Sequence, residues 1–234
     1  MVKVISFSLW GKKPQYNVGA IKNAIIALKF YPDYECWFYV HKETVPKETI
    51  EELQKMKNTK IIFKTGDLNK NKPMTWRFEA IDDPNVEIML SRDTDTRILL
   101  REKLAVDEWI QSKKLFHIMR DHPHHIFYIL GGMFGTKKIK NIPSWKKLID
   151  EKINQTSSRD YDQIFLKKFI YPIIKKNSLI HYNFHKYPGE VAKNFPIQYC
   201  KDYYYVGGYV YEDDSVSQRH THILINKCLK FNIK

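Results

Sequence analysis

Apolar and polar positions along the N-terminal part of the chain switch back and forth between two periods. Residues 2–9 form an apolar run broken only by Lys3, Ser6 and Ser8, and they read as a buried first strand. A loop follows at 10–16. Val18, Ile21, Ala24, Ile25 and Leu28 then recur at helical spacing, with Asn17 placed to cap that helix and Pro32 to end it. Residues 35–40 predict a second strand. Pro46 suits the first position of a helix carrying Ile50, Leu53 and Met56. Residues 60–64 predict a third strand, 74–81 a short helix and 86–90 a fourth strand. Such alternation predicts an α/β fold, with a mostly parallel sheet and helices on its faces.

The pattern is less regular afterwards. Residues 101–113 predict a helix with Ala105, Val106, Trp109 and Ile110 inward, and 115–120 a strand. An Asp-His-Pro-His-His run (121–125), an apolar run (126–130) and a glycine-rich run (131–135) follow. Pro143 and Ser144 open a helix carrying Trp145, Leu148 and Ile149. A loop at 156–158 precedes a helix over 161–175 that Pro172 kinks or ends. A strand leads to His181, and the tail reads as short strands and loops rich in Tyr and His. No linker, internal repeat or low-complexity stretch divides the 234 residues, which argues for one domain.

Composition narrows the class. Hydrophobic residues make up 43% and aromatics 14%, enough for a real core and too many for a disordered chain. Lys+Arg 39 against Asp+Glu 26 leaves +13, which favours an anionic partner: nucleic acid, a membrane surface or a phosphorylated small substrate. The lysines are spread out, apart from short clusters such as Lys137-Lys138-Ile139-Lys140, so nucleic acid is the weaker expectation. Three cysteines without a C-x-x-C pair point to a reducing compartment. The N-terminal run is too short for a signal peptide, and no stretch reaches the length of a transmembrane span. The expectation is a soluble, cytoplasmic chain. Abundant Lys, Asn, Ile and Tyr fit an AT-rich genome, bacterial or viral; if viral, the location becomes the host cytoplasm or the virion.

The chemistry starts where the fourth strand stops. Asp93 and Asp95 stand one residue apart, and paired carboxylates suit a hard cation, Mg2+ or Mn2+, that keeps positions for water and phosphate. Arg92 and Arg97 flank them and match phosphate geometry. The plainer alternative is a solvated acidic turn. Position favours the metal reading, because ligands of open α/β sheets bind beyond the carboxyl ends of strands, where residues 8–16 also lie. Neither G-x-G-x-x-G after the first strand nor a G-x-x-x-x-G-K-[ST] loop occurs, which disfavours a dinucleotide enzyme and a P-loop NTPase.

Other candidates each carry a plain alternative. Arg77, between Trp76 and Phe78, is either a cation–π clamp in the core or a donor contact. His122, His124 and His125 could ligate zinc, but the stiff Pro123 favours a polar loop binding substrate hydroxyls, or a turn. Gly131 and Gly132 permit either a tight turn or close approach of a ligand. Asp162 either caps its helix or serves as a general base. His181 or His185 is either structural or completes a metal's coordination.

In this order the motifs resemble the small GT-A-type nucleotide-sugar glycosyltransferases of bacteria and giant viruses. The residues that carry the likeness are Ser8-Leu9-Trp10-Gly11 with Tyr16-x-x-Gly19, Trp76-Arg77-Phe78, Ser91-Arg92-Asp93-x-Asp95, the run 116–123, Gly131-Gly132-Met133-Phe134-Gly135, Asp162-Gln163 and Ile180-His181. The likeness spans roughly residues 2–210 and is most specific from Ser91 to Gly135. It implies a GT-A-like, Rossmann-type βα sheet with an acceptor-side α+β C-terminal half. Residues 1–97 would form the nucleotide-sugar half of a single domain, and 98–234 the acceptor half.

The same resemblance implies transfer of a sugar from a nucleoside-diphosphate donor, a UDP-sugar first, to a glycan or other hydroxyl acceptor. Asp93 and Asp95 would bind Mn2+ or Mg2+, with Asp93 also on the donor. Ser8, Trp10, Tyr16, Arg77 and Arg92 would hold the donor. His122, Gly131, Gly132 and Gln163 would face the acceptor or the moving sugar. After His181 the chain departs from the pattern, with Tyr182 where an aspartate is frequent, so the third metal ligand lies between His181 and His185. An inverting reaction would need a base, and Asp162 and Asp121 are the candidates. The alternatives are a metal-dependent phosphohydrolase or nuclease using Asp93, Asp95 and the 122–125 histidines, and a basic binding module without catalysis.

Overall fold

The computed structural model of the chain describes residues 1–66, 68–139, 143–152 and 160–231; the expected loop at 156–158 and Lys140 lie outside them. The strands are β1 (Val2–Leu9), β2 (Tyr34–His41), β3 (Thr59–Lys64), β4 (Val86–Arg92), β5 (Phe116–Arg120), β6 (Phe134–Lys137), β7 (Ser178–Tyr182) and β8 (Ala192–Lys193). They form one sheet in the order β3-β2-β1-β4-β6-β5-β7-β8. Every strand pair is parallel except those of β6, which runs antiparallel to both β4 and β5. The mostly parallel α/β sheet expected from the strand–helix rhythm is therefore borne out.

The strand period of two decides what faces where. In β1, Val4 enters one core while Ile5, Phe7 and Leu9 enter the other. Ser6 and Ser8 share the side of Val4. They hold the 3-10 segment Asn69–Asp82: Ser6 Oγ donates to the Arg77 carbonyl at 2.7 Å, and the Arg77 N–H donates to Ser8 Oγ at 3.0 Å. This segment packs on one face with α4 (Trp145–Lys152) and α5 (Tyr161–Phe165), through Trp76, Phe78, Trp145 and Phe165. The other face carries α1 (Pro14–Phe30), α2 (Lys47–Gln54) and α3 (Leu100–Gln111).

Several expectations change in detail. Helix α1 does not bury the large residues. Ile25 and Leu28 are exposed, and the inner face is Gly19, Ala20, Asn23, Ala24 and Ala27. Small side chains let the helix lie close to its neighbours: a Cβ at Gly19 would fall 2.0 Å from the Thr94 carbonyl oxygen. Asn17 is not the cap. Pro14 opens the helix, where its missing N–H needs no partner, and Asn17 Nδ2 ties back to the carbonyls of Gly11 and Lys13 at 3.1 and 2.9 Å.

The helix expected over 161–175 is broken into three. A π-helical turn, Leu166–Ile170, separates α5 from α6 (Tyr171–Ile174), just ahead of Pro172. The proline cannot complete the ladder, and a widened turn accommodates its ring. The tail is not only strands and loops. It forms a small bridge between Val210 and Val216 and then α7 (Gln218–Phe231), which buries Leu224 and Cys228. Among the described residues no helix is long and apolar enough to cross a membrane.

The second half has its own buried anchor. Arg120, at the end of β5, makes two bonds to Glu190, at 2.6 and 2.9 Å, and Tyr171 Oη donates to the same carboxylate at 2.6 Å. Both charged side chains are fully buried. Removing one partner of such a pair leaves an uncompensated interior charge. Glu190→Ala is therefore expected to lower unfolding free energy by about 3–5 kcal/mol in urea denaturation, with Glu190→Gln costing less because it keeps the side-chain volume and one acceptor oxygen for Arg120 Nη2 and Tyr171 Oη.

Candidate active site

In the strand order, β1 is flanked by β2 on one side and β4 on the other, so the crossover direction reverses between β1 and β4. That is where α/β sheets open a crevice at the carboxyl ends of their strands. A cleft of about 260 Å³ lies there. The end of β1 lines it with Ser8, the loop that follows with Trp10 and Lys13, the first turn of α1 with Tyr16, the 3-10 segment with Met74 and Arg77, and the turn after β4 with Asp93, Thr94 and Asp95.

Arg77 is the pivot. It is almost wholly buried, and its guanidinium donates through Nη1 to Asp93 Oδ1 and through Nη2 to Asp162 Oδ2 at 3.0 Å. Burial works against its charge, but Asp93 and Asp162 outweigh that and push its pKa up. Asp162 sits in the first turn of α5 and also accepts the Gln163 N–H at 2.8 Å. Burial raises its carboxyl to about 6, with Arg77 opposing and Asp93 adding to the rise.

The two glycines earn their place by proximity. A Cβ at Gly131 would fall 2.1 Å from Asp162 Oδ2 and 2.6 Å from Arg77 Nη2; one at Gly132 would fall 1.9 Å from Asp93 Oδ2. Ser91 Oγ fastens this loop by donating to the Gly131 carbonyl at 2.6 Å. The glycines therefore let a loop cover the Asp93–Arg77–Asp162 chain.

The turn carrying both carboxylates is pinned at each backbone carbonyl. Thr96 Oγ1 donates to the Asp93 carbonyl at 3.0 Å. Asn23 Nδ2 reaches the carbonyls of Thr94 and Thr96 at 3.4 and 2.8 Å, and its Oδ1 accepts the Ile98 N–H at 3.1 Å. The Val210 N–H donates to the Asp95 carbonyl at 2.8 Å. So held, the Asp95 carboxyl is pushed up to about 7, by burial first and by the charge of Asp93 second.

Two neighbouring carboxylates that resist ionising together are a fitting seat for a divalent cation. Among the described residues no group of three His, Cys, Asp or Glu could hold a metal. Asp93 and Asp95 are the two carboxylates in the cleft lining, a donor set that would suit an oxygen-preferring ion keeping positions for water and phosphate better than structural zinc.

Ser8, Trp10, Tyr16, Arg77, Asp93 and Asp95 are brought together in the cleft, with Gly131, Gly132 and Asp162 directly behind it. Arg77 Nε, and the amide oxygen of Gln163, which is not part of the cleft lining, are buried without a partner. The other expected residues lie elsewhere. Arg92 falls on the opposite face of β4 from Ser91, as the pleat requires, and pairs with Glu102 at 2.7 Å beneath the sheet. Arg97 turns to the tail, bonding Asp214 Oδ1 at 2.9 Å and the Tyr211 carbonyl at 3.0 Å.

Asp121 is fully buried. It is held by Arg101 through two bonds of 2.9 Å, by Tyr199 and by the Val206 N–H, which leaves no oxygen to take a substrate proton. Asp162, the other expected base, does not line the cleft and serves Arg77 instead. His181 is no third ligand: Nδ1 meets His117 Nε2 at 2.8 Å, and Nε2 meets Glu108 Oε2 at 2.8 Å. His185 Nε2 is spent on the Pro123 carbonyl. His122 bonds the His124 N–H and the His220 carbonyl and stacks on Tyr205, away from the cleft, and burial lowers its pKa to about 4.

The pattern reading missed Asn23, Val210 and Asp214. A signal existed for Asn23, a polar residue at helical spacing among Ala20, Ala24 and Ala27. Nothing local marked the two tail residues.

No family model matches the chain, and no curated protein matches it. Among solved structures it is similar to a glycosyltransferase involved in the glycosylation of the major capsid of PBCV-1, at 16% identity and a TM-score of 0.50, over 78% of this chain and 82% of that one. It also matches the galactosyltransferase LgtC in complex with donor and acceptor sugar analogues, at 12% identity and 0.46, over 76% and 73%. A 4-diphosphocytidyl-2C-methyl-D-erythritol synthase from Anaerococcus prevotii matches at 14% and 0.45, over 80% and 90%. At such identities the first likeness shows the fold, and the GT-A-like architecture expected from the sequence is the one observed.

Gly132→Ala is expected to force Asp93 aside and lose ligand binding at the cleft, measurable by titration calorimetry, while circular dichroism shows a folded chain. A second expectation concerns pH. Asp162 binds its proton more tightly when folded, so its contribution to stability falls as pH rises from about 4 to about 6 and is level above that. Asp162→Asn lacks this dependence. Its stability relative to the parent is therefore expected to improve by roughly 2–3 kcal/mol across that window, read from denaturation at stepped pH; a constant difference would refute the assignment.

Proposed function

We propose that the chain is a metal-dependent glycosyltransferase that moves a sugar from a nucleoside-diphosphate donor, UDP-sugar first, to a glycan or other hydroxyl acceptor. The carrying observation is the position of Asp93, Asp95 and Arg77 together at the switch point of a GT-A-like sheet. The order of motifs along the chain supports the same reading, as does the glycosylation role of the PBCV-1 protein that shares the fold.

On this reading Asp93 and Asp95 hold Mn2+ or Mg2+. The ion, when bound, neutralises negative charge that grows on the departing diphosphate. The protein's own work is positional. Arg77 fixes Asp93, and Asp162 fixes Arg77 from behind. Trp10 and Tyr16 flank the nucleoside, and Ser8 and the backbone of its loop approach the donor. Gln163, expected on the acceptor side, lies next to Asp162 in the chain and has a buried amide oxygen without a partner. Residues 1–97 supply most of the donor side and later segments the acceptor side, although Val210 bonds the donor-side turn directly.

The phosphohydrolase or nuclease reading is not favoured. It needs the 122–125 histidines beside Asp93 and Asp95, and these rings are instead packed among themselves, Tyr205 and His220.

Thermal shift with UDP-, GDP- and CDP-sugars, with and without Mn2+, tests the proposal. A cognate donor at a hundred times its Kd is expected to stabilise by about 2.7 kcal/mol, or roughly 5–10 °C, only with the metal present. Asp95→Ala is expected to remove the shift without lowering the Tm of the free protein, because that carboxylate is held against burial and a like charge. Sugar transfer to an oligosaccharide acceptor should fall with it. If no nucleotide sugar moves the Tm in either condition, the proposal fails.

A further inference from the structure

The turn bearing Asp93 and Asp95 is fastened from the far end of the chain. Val210 and Val216 pair, and the loop between them closes through Tyr211 N–H to the Ser215 carbonyl at 2.9 Å and Asp214 N–H to the Tyr211 carbonyl at 3.1 Å. This hairpin touches the turn at two points. The Val210 N–H bonds the Asp95 carbonyl, and Arg97 bonds Asp214 and the Tyr211 carbonyl while its Nη1 donates to the Thr96 carbonyl at 3.0 Å.

Asp214 joins the pieces. One carboxylate oxygen takes Arg97 Nε at 2.9 Å, and the other takes Lys22 Nζ of α1 at 2.5 Å. Its backbone is left-handed, at φ 66°, a conformation that Asp and Asn tolerate better than most residues. Lys22 Nζ also donates to the Glu212 carbonyl at 2.8 Å. One exposed side chain thereby ties α1, the Asp93–Arg97 turn and the tail into a single frame.

We infer that Asp214 is a positioning residue for the cation site: through Arg97 and the Val210–Val216 hairpin it holds the Asp95 carboxylate where it faces Asp93. The inference rests on the metal-dependent reading above. Two like charges in one cleft push apart, so a turn free to relax would separate them and would have to be drawn together again when a cation binds. A frame that holds them removes that reorganisation from the binding step.

The test measures Mn2+ binding by titration calorimetry and Tm by calorimetric scanning, on the whole chain. Asp214→Asn keeps the left-handed turn and removes the charge of both ion pairs. Asp214→Gly relaxes the backbone as well. Glu212→Gln removes one negative charge from the same hairpin, and no side-chain tie is seen there. Mn2+ affinity is expected to fall about tenfold in both Asp214 variants, in line with outer-sphere partners of metal ligands, and to stay unchanged in Glu212→Gln. A lower Tm with unaltered Mn2+ affinity would make Asp214 merely structural and overturn the inference. Equal weakening in Glu212→Gln would also overturn it, by showing that net charge and not the tie sets affinity. If Asp95→Ala and the parent bind Mn2+ alike, the metal reading itself fails and the inference falls with it.

Discussion

A buried guanidinium has few ways to exist, and Arg77 uses one that organises everything around it. Its charge is kept by Asp93 on one side and Asp162 on the other. Those aspartates come from the end of β4 and the start of α5, so satisfying one cation brings the two halves of the chain together at the carboxyl ends of the central strands. The backbone of Arg77 is in turn gripped by Ser6 and Ser8 of β1. Gly131 and Gly132 follow from the same requirement, because any side chain there would strike Asp162 or Asp93. The glycines that in sequence permit either a tight turn or close approach of a ligand first let the loop cover an ion-pair chain.

The electrostatics carry a second consequence. Asp95 and Asp162 both sit where ionisation is resisted, with burial as the larger cause and Asp93 adding to it. Arg77 compensates only part of this. In the cleft lining Asp93 and Asp95 stand against Arg77 and Lys13, so the protein offers no surplus of positive charge to a diphosphate. The proposed divalent ion would supply it. Three other buried ion pairs are not part of the cleft lining. Arg120 with Glu190, Arg101 with Asp121 and Arg92 with Glu102 pair inside the protein and hold loops and faces in place, although Arg92 Nη2 has no partner.

Much of the N-terminal half was legible in the sequence. The strand–helix rhythm predicted β1 to β4 and their parallel order because each element's period is a local property. The end of β4 was recognisable as a candidate site because strand ends in parallel sheets are where ligands collect, and a cleft lies there. The errors have physical causes too. Helix α1 buries alanines and asparagines where the large residues looked like the inner face, since its packing is set by how closely it must approach the Thr94 carbonyl. Arg92 was expected at phosphate, but the pleat sends it to the other face of the sheet. Asp121, His181 and His185 were chosen for their chemistry, and that chemistry turned out to be spent on Arg101, on His117 and Glu108, and on a backbone carbonyl.

The sequence by itself determined the α/β class, the strand that ends in Asp93 and Asp95, and the presence of Arg77 and two glycines suited to a crowded place. These follow from periodicity, turn chemistry and side-chain type within short windows. Only the tertiary structure decided which of the many titratable residues share a cleft. Whether a carboxylate or imidazole is free depends on partners far away in the chain, as Asp162 is from Arg77 and Asp214 from Arg97. No local pattern encodes such a partner, because the pairing exists only once the sheet has brought the segments together.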